Sequence, residues 1–237
     1  MTRPIPLQDR LIVALDLPAV DEARALAAKL GGAVGFYKIG LQLIYAGGIA
    51  LARELAGQGK KIFLDAKLLD IDQTVTSATE SIARLGLDFL TVHALAPTLR
   101  AAAKGRGTSK LKLLGVTVLT SQGPEDMAEL GTRFSVEEMV LRRAQATIAS
   151  GCDGVIASGL EARAIRAMAG EKLLIVTPGI RSAGSSHDDQ KRAATPRDAI
   201  AAGSDYLVVG REILRAENPG LAAENILREI DAALASR

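Results

Sequence analysis

The chain has 237 residues, 48% of them hydrophobic and 24% charged, a balance that excludes wholesale disorder and leaves room for one α/β barrel or two small domains. Its 29 Lys and Arg nearly cancel 27 Asp and Glu, leaving a formal charge of +2, and aromatics make up only 3% with no Trp. That composition argues against a nucleic-acid partner, which needs exposed rings on a basic face, and it predicts an aliphatic core.

Short apolar, β-type runs alternate with Ala-rich stretches of helical period along the chain. The expected strands are residues 11–16, 35–40, 61–67, 89–93, 113–120, 154–158, 173–177 and 206–210. Helix-period segments lie among them at 20–30, 44–56, 72–85, 136–149 and 197–202, and a long amphipathic segment at 221–235 closes the chain. Gly31, Gly57, Gly86, Gly151, Gly170 and Gly203 follow helical stretches, as expected where a chain leaves a helix through a left-handed cap. About eight strand–helix units in this length predict an α/β fold, a single (β/α)8 TIM barrel spanning residues 1–237. A doubly wound sheet would share the alternation, but no G-x-G-x-x-G follows the first strand. Residues 181–195 fit neither period. They are rich in Gly, Ser and charge, and are expected to form a mobile loop after the seventh strand, where barrel lids lie.

Cys152 is the lone cysteine; it reads as a small buried residue and fits a reducing compartment. Pro4, Pro6 and Asp9 interrupt the apolar stretch a secretion signal needs, and the apolar run 39–52 falls short of the roughly 18 residues of a membrane span. A soluble, cytoplasmic protein with no membrane partner is therefore expected. His93 and His187 are the two histidines, far apart and without a nearby Cys, so no zinc site is expected. No G-x-S-x-G elbow supports a serine hydrolase. His93, ending an apolar strand, reads as a core histidine.

The strand ends carry more information. In K-I-F-L-D-A-K, Ile62, Leu64 and Ala66 alternate with Phe63, Asp65 and Lys67, so Asp65 and Lys67 are expected to point into the barrel mouth. Two charges on one inner face carry a desolvation cost unless they are paired. Asp16 and Lys38 hold comparable positions at the ends of the first and second strands. Asp70 follows three residues after Lys67, and Thr74 lies one helical turn beyond Asp70, so the two can share a face. Asp16, Lys38, Asp65, Lys67 and Asp70 thus form one candidate cluster. The plainer alternatives are a structural ion-pair network, or helix N-caps for Asp16 and Asp70. At the far side, T-P-G-I-R (177–181) and V-V-G-R (208–211) end strands seven and eight, where barrels grip phosphate. Gly210 permits close backbone approach and Arg211 offers a bidentate donor.

At these residues the sequence resembles the orotidine 5′-phosphate decarboxylase family, whose D-x-K-x-x-D-I-x-x-T signature matches Asp65 to Thr74. The likeness continues in order through Leu15-Asp16, Lys38, V-T-V-L-T (116–120), T-P-G-I-R and V-V-G-R. It departs at Asp72, where Pro, Gly or Asn is usual, and in lacking a proline after G-I-R. The resemblance implies removal of CO₂ from orotidine 5′-phosphate to give uridine 5′-phosphate, with no cofactor and no metal, in a homodimer. By that likeness Lys67 is the proton donor, with Asp65, Asp70 and Lys38 as the other catalytic residues. Asp16 and Lys38 bind the ribose hydroxyls, Asp65 also touches substrate, and Thr120 lies near the pyrimidine. Pro178, Arg181, Gln190, Gly210 and Arg211 hold the phosphate end. Asp70, Ile71 and Thr74 reach across the dimer interface into the partner's site. Two alternatives remain: a Mg²⁺-dependent sugar-phosphate decarboxylase or synthase of the same superfamily, and a non-catalytic nucleotide-binding barrel.

Overall fold

The computed structural model describes residues 5–181 and 194–236. Eight parallel strands close into a barrel in sequence order, β1 pairing with β8. They are β1 (Leu11–Ala14), β2 (Phe36–Gly40), β3 (Lys61–Leu68), β4 (Phe89–His93), β5 (Lys112–Val116), β6 (Gly154–Ile156), β7 (Leu174–Thr177) and β8 (Tyr206–Val209). Each parallel pairing needs a crossover, and helices on the outside supply it. These are α1 (Val20–Leu30), α2 (Leu41–Leu43), α3 (Ile49–Gly57), α4 (Asp72–Ala83), α5 (Ala96–Arg106), α6 (Pro124–Glu129), α7 (Val136–Ala149), α8 (Gly159–Ala169), α9 (Pro196–Ala202), α10 (Arg211–Leu214) and α11 (Pro219–Ala235). Among the described residues no helix is long and apolar enough to cross a membrane.

Strand periodicity divides the core in two. Side chains such as Val13, Tyr37, Ile39, Ile62, Leu64 and Leu90 point outward into a layer shared with the helices, and that layer is almost wholly aliphatic. The inward set differs from the aliphatic core expected: Phe36, Phe63, Phe89 and Tyr206 meet edge to face inside the barrel, with ring centroids 5.0–6.1 Å apart. Scarce aromatics are thus concentrated where a narrow barrel needs large rigid side chains to fill its interior.

Three expected elements are corrected. The helix expected over 44–56 is broken by a π-helical turn, Ile44–Gly48, in which Gly47 takes φ 98°. The Gly47-Gly48 pair permits that break. Gly57 is the last residue of α3, and the left-handed residue beyond it is Gly59, at φ 79°. Strands expected to reach Asp16 and Thr120 stop at Ala14 and Val116. Their apolar character continues, but ladder pairing ends as the chain turns out of the barrel wall. The mobile loop expected over 181–195 lies outside the described residues except at its ends, where Ile180 and Ala194 form an isolated bridge; Gln190 and His187 lie outside them altogether.

Candidate active site

The mouth opens at the C-terminal ends of the strands, the end where barrels carry their chemistry. Phe36, Phe63 and Phe89 lie two residues before Lys38, Asp65 and Thr91 on β2, β3 and β4. With a side-chain period of two, each polar group therefore sits one layer above a ring. Aromatic packing below removes water from the floor and strengthens the electrostatics above it.

Four charges alternate on that floor. Lys38 Nζ donates to Asp16 Oδ1 at 2.9 Å and lies 3.4 Å from Asp65 Oδ2; Lys67 Nζ lies 2.8 Å from the same Oδ2. Asp65 Oδ1 accepts the Thr91 hydroxyl at 2.8 Å. Burial alone would raise the Asp65 pKa, but the Lys38 and Lys67 ammoniums, with hydrogen bonds from Lys67 and Thr91, hold it below its ordinary value. Burial likewise opposes the charged form of Lys38, and Asp65 and Asp16 outweigh it, so its pKa rises. Both groups are thereby fixed as ions. Side-chain exposure grades across the set: Lys38 and Asp65 are 10% and 12% exposed, Lys67 is 29% and Asp16 is 52%. Lys67 therefore combines an anchored base with an ammonium that reaches into the cavity.

Lys67 is also the one non-glycine residue with positive φ among those described, at 47°. Such a backbone costs of order 1–3 kcal/mol and persists only where its surroundings hold it. Here β3 bulges: Leu64 pairs with Leu90 and Leu68 with Val92, so the register slips between them. Bulges re-aim side chains beside active sites. The Lys67 N–H, turned out of the ladder, donates to Thr91 Oγ1 at 3.0 Å.

A cavity of about 300 Å³ joins this array to the ends of β5, β7 and β8. Thr120, Pro178, Arg181, Gly210 and Arg211 line it together with Asp16, Lys38, Asp65 and Lys67. Arg181 is 8% exposed, with an Nη donating to the Ile180 carbonyl at 2.8 Å. Gly179, at φ 74°, makes the turn that brings Arg181 inward. The alternating array and two arginines thus line one cavity.

Asp70, Ile71 and Thr74 are not part of this cavity. All three are exposed, Ile71 by 72%, because β3 ends at Leu68 and the chain swings outward before α4. The Asp70 carboxylate accepts the Ile71 N–H at 2.7 Å and pairs with no cation among the described residues. The five-residue cluster is therefore four residues within one chain. The N-cap alternative fails as well: Ala19 caps α1 and Ile71 caps α4, neither through a side chain.

Two residues of the site escaped notice in the sequence. Thr91 is fully buried, and its signal was a lone hydroxyl inside the apolar run F-L-T-V-H. Gly40 ends β2 where any Cβ would lie 2.9 Å from both Asp16 Oδ1 and Lys38 Nζ, so a side chain there would part that ion pair. Its signal was weak, since glycine ends many strands. His93 is half-buried at the end of β4, and burial, with the Arg143 and Lys67 cations, lowers its pKa. Cys152 is buried, its thiol pushed up to about 12 by burial, and it has no part in the site. Among the described residues, no three His, Cys, Asp or Glu side chains gather as a metal site would require.

Known proteins are similar to this chain over nearly its whole length. Residues 9–226 match the model of the Orotidine 5′-phosphate decarboxylase / HUMPS family. The chain is 53% identical over 232 residues to an orotidine 5′-phosphate decarboxylase of Rhodopseudomonas palustris, covering 98% of each chain. It is 53% identical over 227 residues to one from Bradyrhizobium diazoefficiens, covering 96% of each. Among solved structures, the orotidine 5′-phosphate decarboxylase of Lactobacillus acidophilus superposes with a TM-score of 0.83 at 38% identity, covering 94% of this chain and 99% of that one. With a barrel, a charged mouth and relatives of that closeness, the chain belongs to the orotidine 5′-phosphate decarboxylase / HUMPS family.

Proposed function

We propose that the protein is a carboxy-lyase that converts orotidine 5′-phosphate to uridine 5′-phosphate in pyrimidine biosynthesis, without cofactor or metal. The observation that carries this reading is the alternating Asp16–Lys38–Asp65–Lys67 array, which lines one cavity together with Arg181 and Arg211. The phosphate sits against Pro178, Arg181, Gly210 and Arg211. The ribose hydroxyls meet Asp16 and Lys38, and the pyrimidine lies toward Thr120.

Loss of CO₂ from the pyrimidine ring leaves an electron pair on carbon with no adjacent carbonyl to spread it. A protein lacking an electron sink must set a fixed positive charge and a proton at that carbon. Lys67 supplies both. As the carbon–carbon bond breaks, the pair remaining on the ring carbon takes a proton from the Lys67 ammonium, and water reprotonates the amine afterwards. Asp65 keeps the ammonium oriented, and its negative charge also opposes the substrate carboxylate before that group departs. Stabilising the transition state ranks first, because only interactions stronger there than in the ground state accelerate the step. Phosphate binding, remote from the reacting carbon, supplies energy for orienting the ring and excluding water.

The same reading makes the protein a homodimer in which Asp70, Ile71 and Thr74 complete the partner's site. In support, Leu69 and Ile71 are 55% and 72% exposed beside the mouth, and the Asp70 carboxylate is exposed and unpaired with any described cation. The test is loss of orotidylate absorbance with purified protein after exhaustive EDTA treatment. Undiminished turnover is the expected result. Strict Mg²⁺ dependence would move the protein to the sugar-phosphate branch, and tight uridylate binding without CO₂ release would make it a binding module.

A further inference from the structure

Thr91 occupies the point where β3 leaves regular pairing. Between the Leu64–Leu90 and Leu68–Val92 pairs, Asp65, Ala66 and Lys67 all lie opposite the single β4 residue Thr91. A chain with that surplus has at least one N–H turned out of the ladder, and a buried N–H without a partner is unfavourable. The Lys67 N–H finds the Thr91 Oγ1 at 3.0 Å, and the same oxygen lies 2.8 Å from Asp65 Oδ1.

The direction of both bonds follows from chemistry. An amide N–H can only donate, so the Thr91 oxygen accepts from Lys67, and its one proton is left for Asp65, whose carboxylate can only accept. One hydroxyl therefore joins the strained backbone of the ammonium-bearing residue, at φ 47°, to the carboxylate that orients that ammonium. Thr91 is 0% exposed and does not line the cavity, so it does not meet substrate. A valine would fill its space equally well. What only a hydroxyl does here is tie Lys67 to Asp65.

We propose that Thr91 is a positioning residue: its hydroxyl locks the β3 bulge, so that the Lys67 ammonium and the Asp65 carboxylate reach the mouth as one unit. The kinetic consequence rests on the decarboxylase reading above, whereas the structural consequence does not. Asp65 is faced by Lys67 on its own strand, Lys38 on β2 and Thr91 on β4, with Asp16 beyond Lys38. His93, on β4, lies in the field of the Arg143 and Lys67 cations.

The test compares Thr91→Val, which keeps shape and loses the hydroxyl, with Thr91→Ser, which keeps the hydroxyl. Steady-state kinetics across pH and hydrogen exchange at the Lys67 amide are the readouts. In Thr91→Val, kcat is expected to fall about 100-fold, the scale of an ångström of misplacement at a reacting group, with KM within about threefold. The acidic limb of its kcat profile moves to higher pH, because Asp65 has lost a donor, and the Lys67 amide exchanges at least about tenfold faster. Thr91→Ser restores all three. A Thr91→Val enzyme with wild-type kcat and wild-type exchange, or a Thr91→Ser enzyme as impaired as the valine variant, would overturn the proposal. If the valine variant does not fold, Thr91→Cys, whose thiol is a weaker donor, must give intermediate kcat and exchange; wild-type values there would overturn it equally. If the wild-type protein does not decarboxylate orotidylate, the activity reading fails alone. Amide exchange then decides on Thr91: protection lost in valine and regained in serine upholds the lock, and unchanged protection refutes it.

Discussion

Replacing Asp65 by Asn removes the charge between the two lysines while keeping shape and one acceptor for Thr91. At an effective dielectric of about 20, unit charges at the observed 2.8 and 3.4 Å separations attract by about 5–6 kcal/mol each. Desolvation of the ions offsets most of this, and removal of one partner from a buried pair typically costs about 3–5 kcal/mol. Two features place this site at the lower end. Lys38 keeps Asp16 at 2.9 Å, and the Lys67 side chain, 29% exposed, can turn toward water. The expected loss is about 3 kcal/mol, or a fall in Tm of about 6–12 °C for a chain of this length. The dependence on pH gives a stricter check. The Asp65 pKa is depressed in the fold, so its contribution is present above the unfolded value of about 3.9 and is lost as pH falls through the lower folded value. Urea unfolding of wild type and Asp65→Asn at neutral pH and in acid measures both terms. The gap between the two proteins should be full near pH 7 and narrow in acid. A variant as stable as wild type at pH 7, or a gap that does not change with pH, would refute the argument.

Two further outcomes follow from the geometry. Arg211→Ala should weaken uridine 5′-phosphate about 10- to 100-fold, the scale of a charge-assisted hydrogen bond, while leaving the bare nucleoside nearly unaffected by calorimetry; equal losses for both would remove Arg211 from the phosphate grip. Mixing Lys67→Ala with Asp70→Ala homodimers should restore partial activity on subunit exchange, since each mixed dimer then carries one intact site, and no recovery despite demonstrated exchange would place each site within one chain.

The barrel was legible because its signals are local and repeated. Alternating apolar runs define β3 and β4 with bounds within a residue of those observed, and α1 and α7 match the expected segments. Period two also placed Asp65 and Lys67 on the inner face. What escaped depends on contacts between distant segments or on backbone geometry that composition does not encode. The Thr91 role exists only because β3 bulges opposite it, and a bulge leaves no residue signature when its positive φ falls on lysine rather than glycine. Asp70 was grouped with the array on sequence spacing, yet three residues past Lys67 the chain has already left the barrel. The overlong β5 has a related cause. V-T-V-L-T has strand propensity throughout, but pairing with β4 and β6 ends at Val116.

The central claim is that the ammonium of Lys67 gives its proton to the carbon that loses CO₂, and Lys67→Ala tests it most directly. Turnover of orotidine 5′-phosphate by the variant should fall by at least about 10⁴-fold, the upper range for a general acid, while uridine 5′-phosphate still binds measurably. A variant that binds the nucleotide and turns substrate over at near wild-type rate would contradict the account.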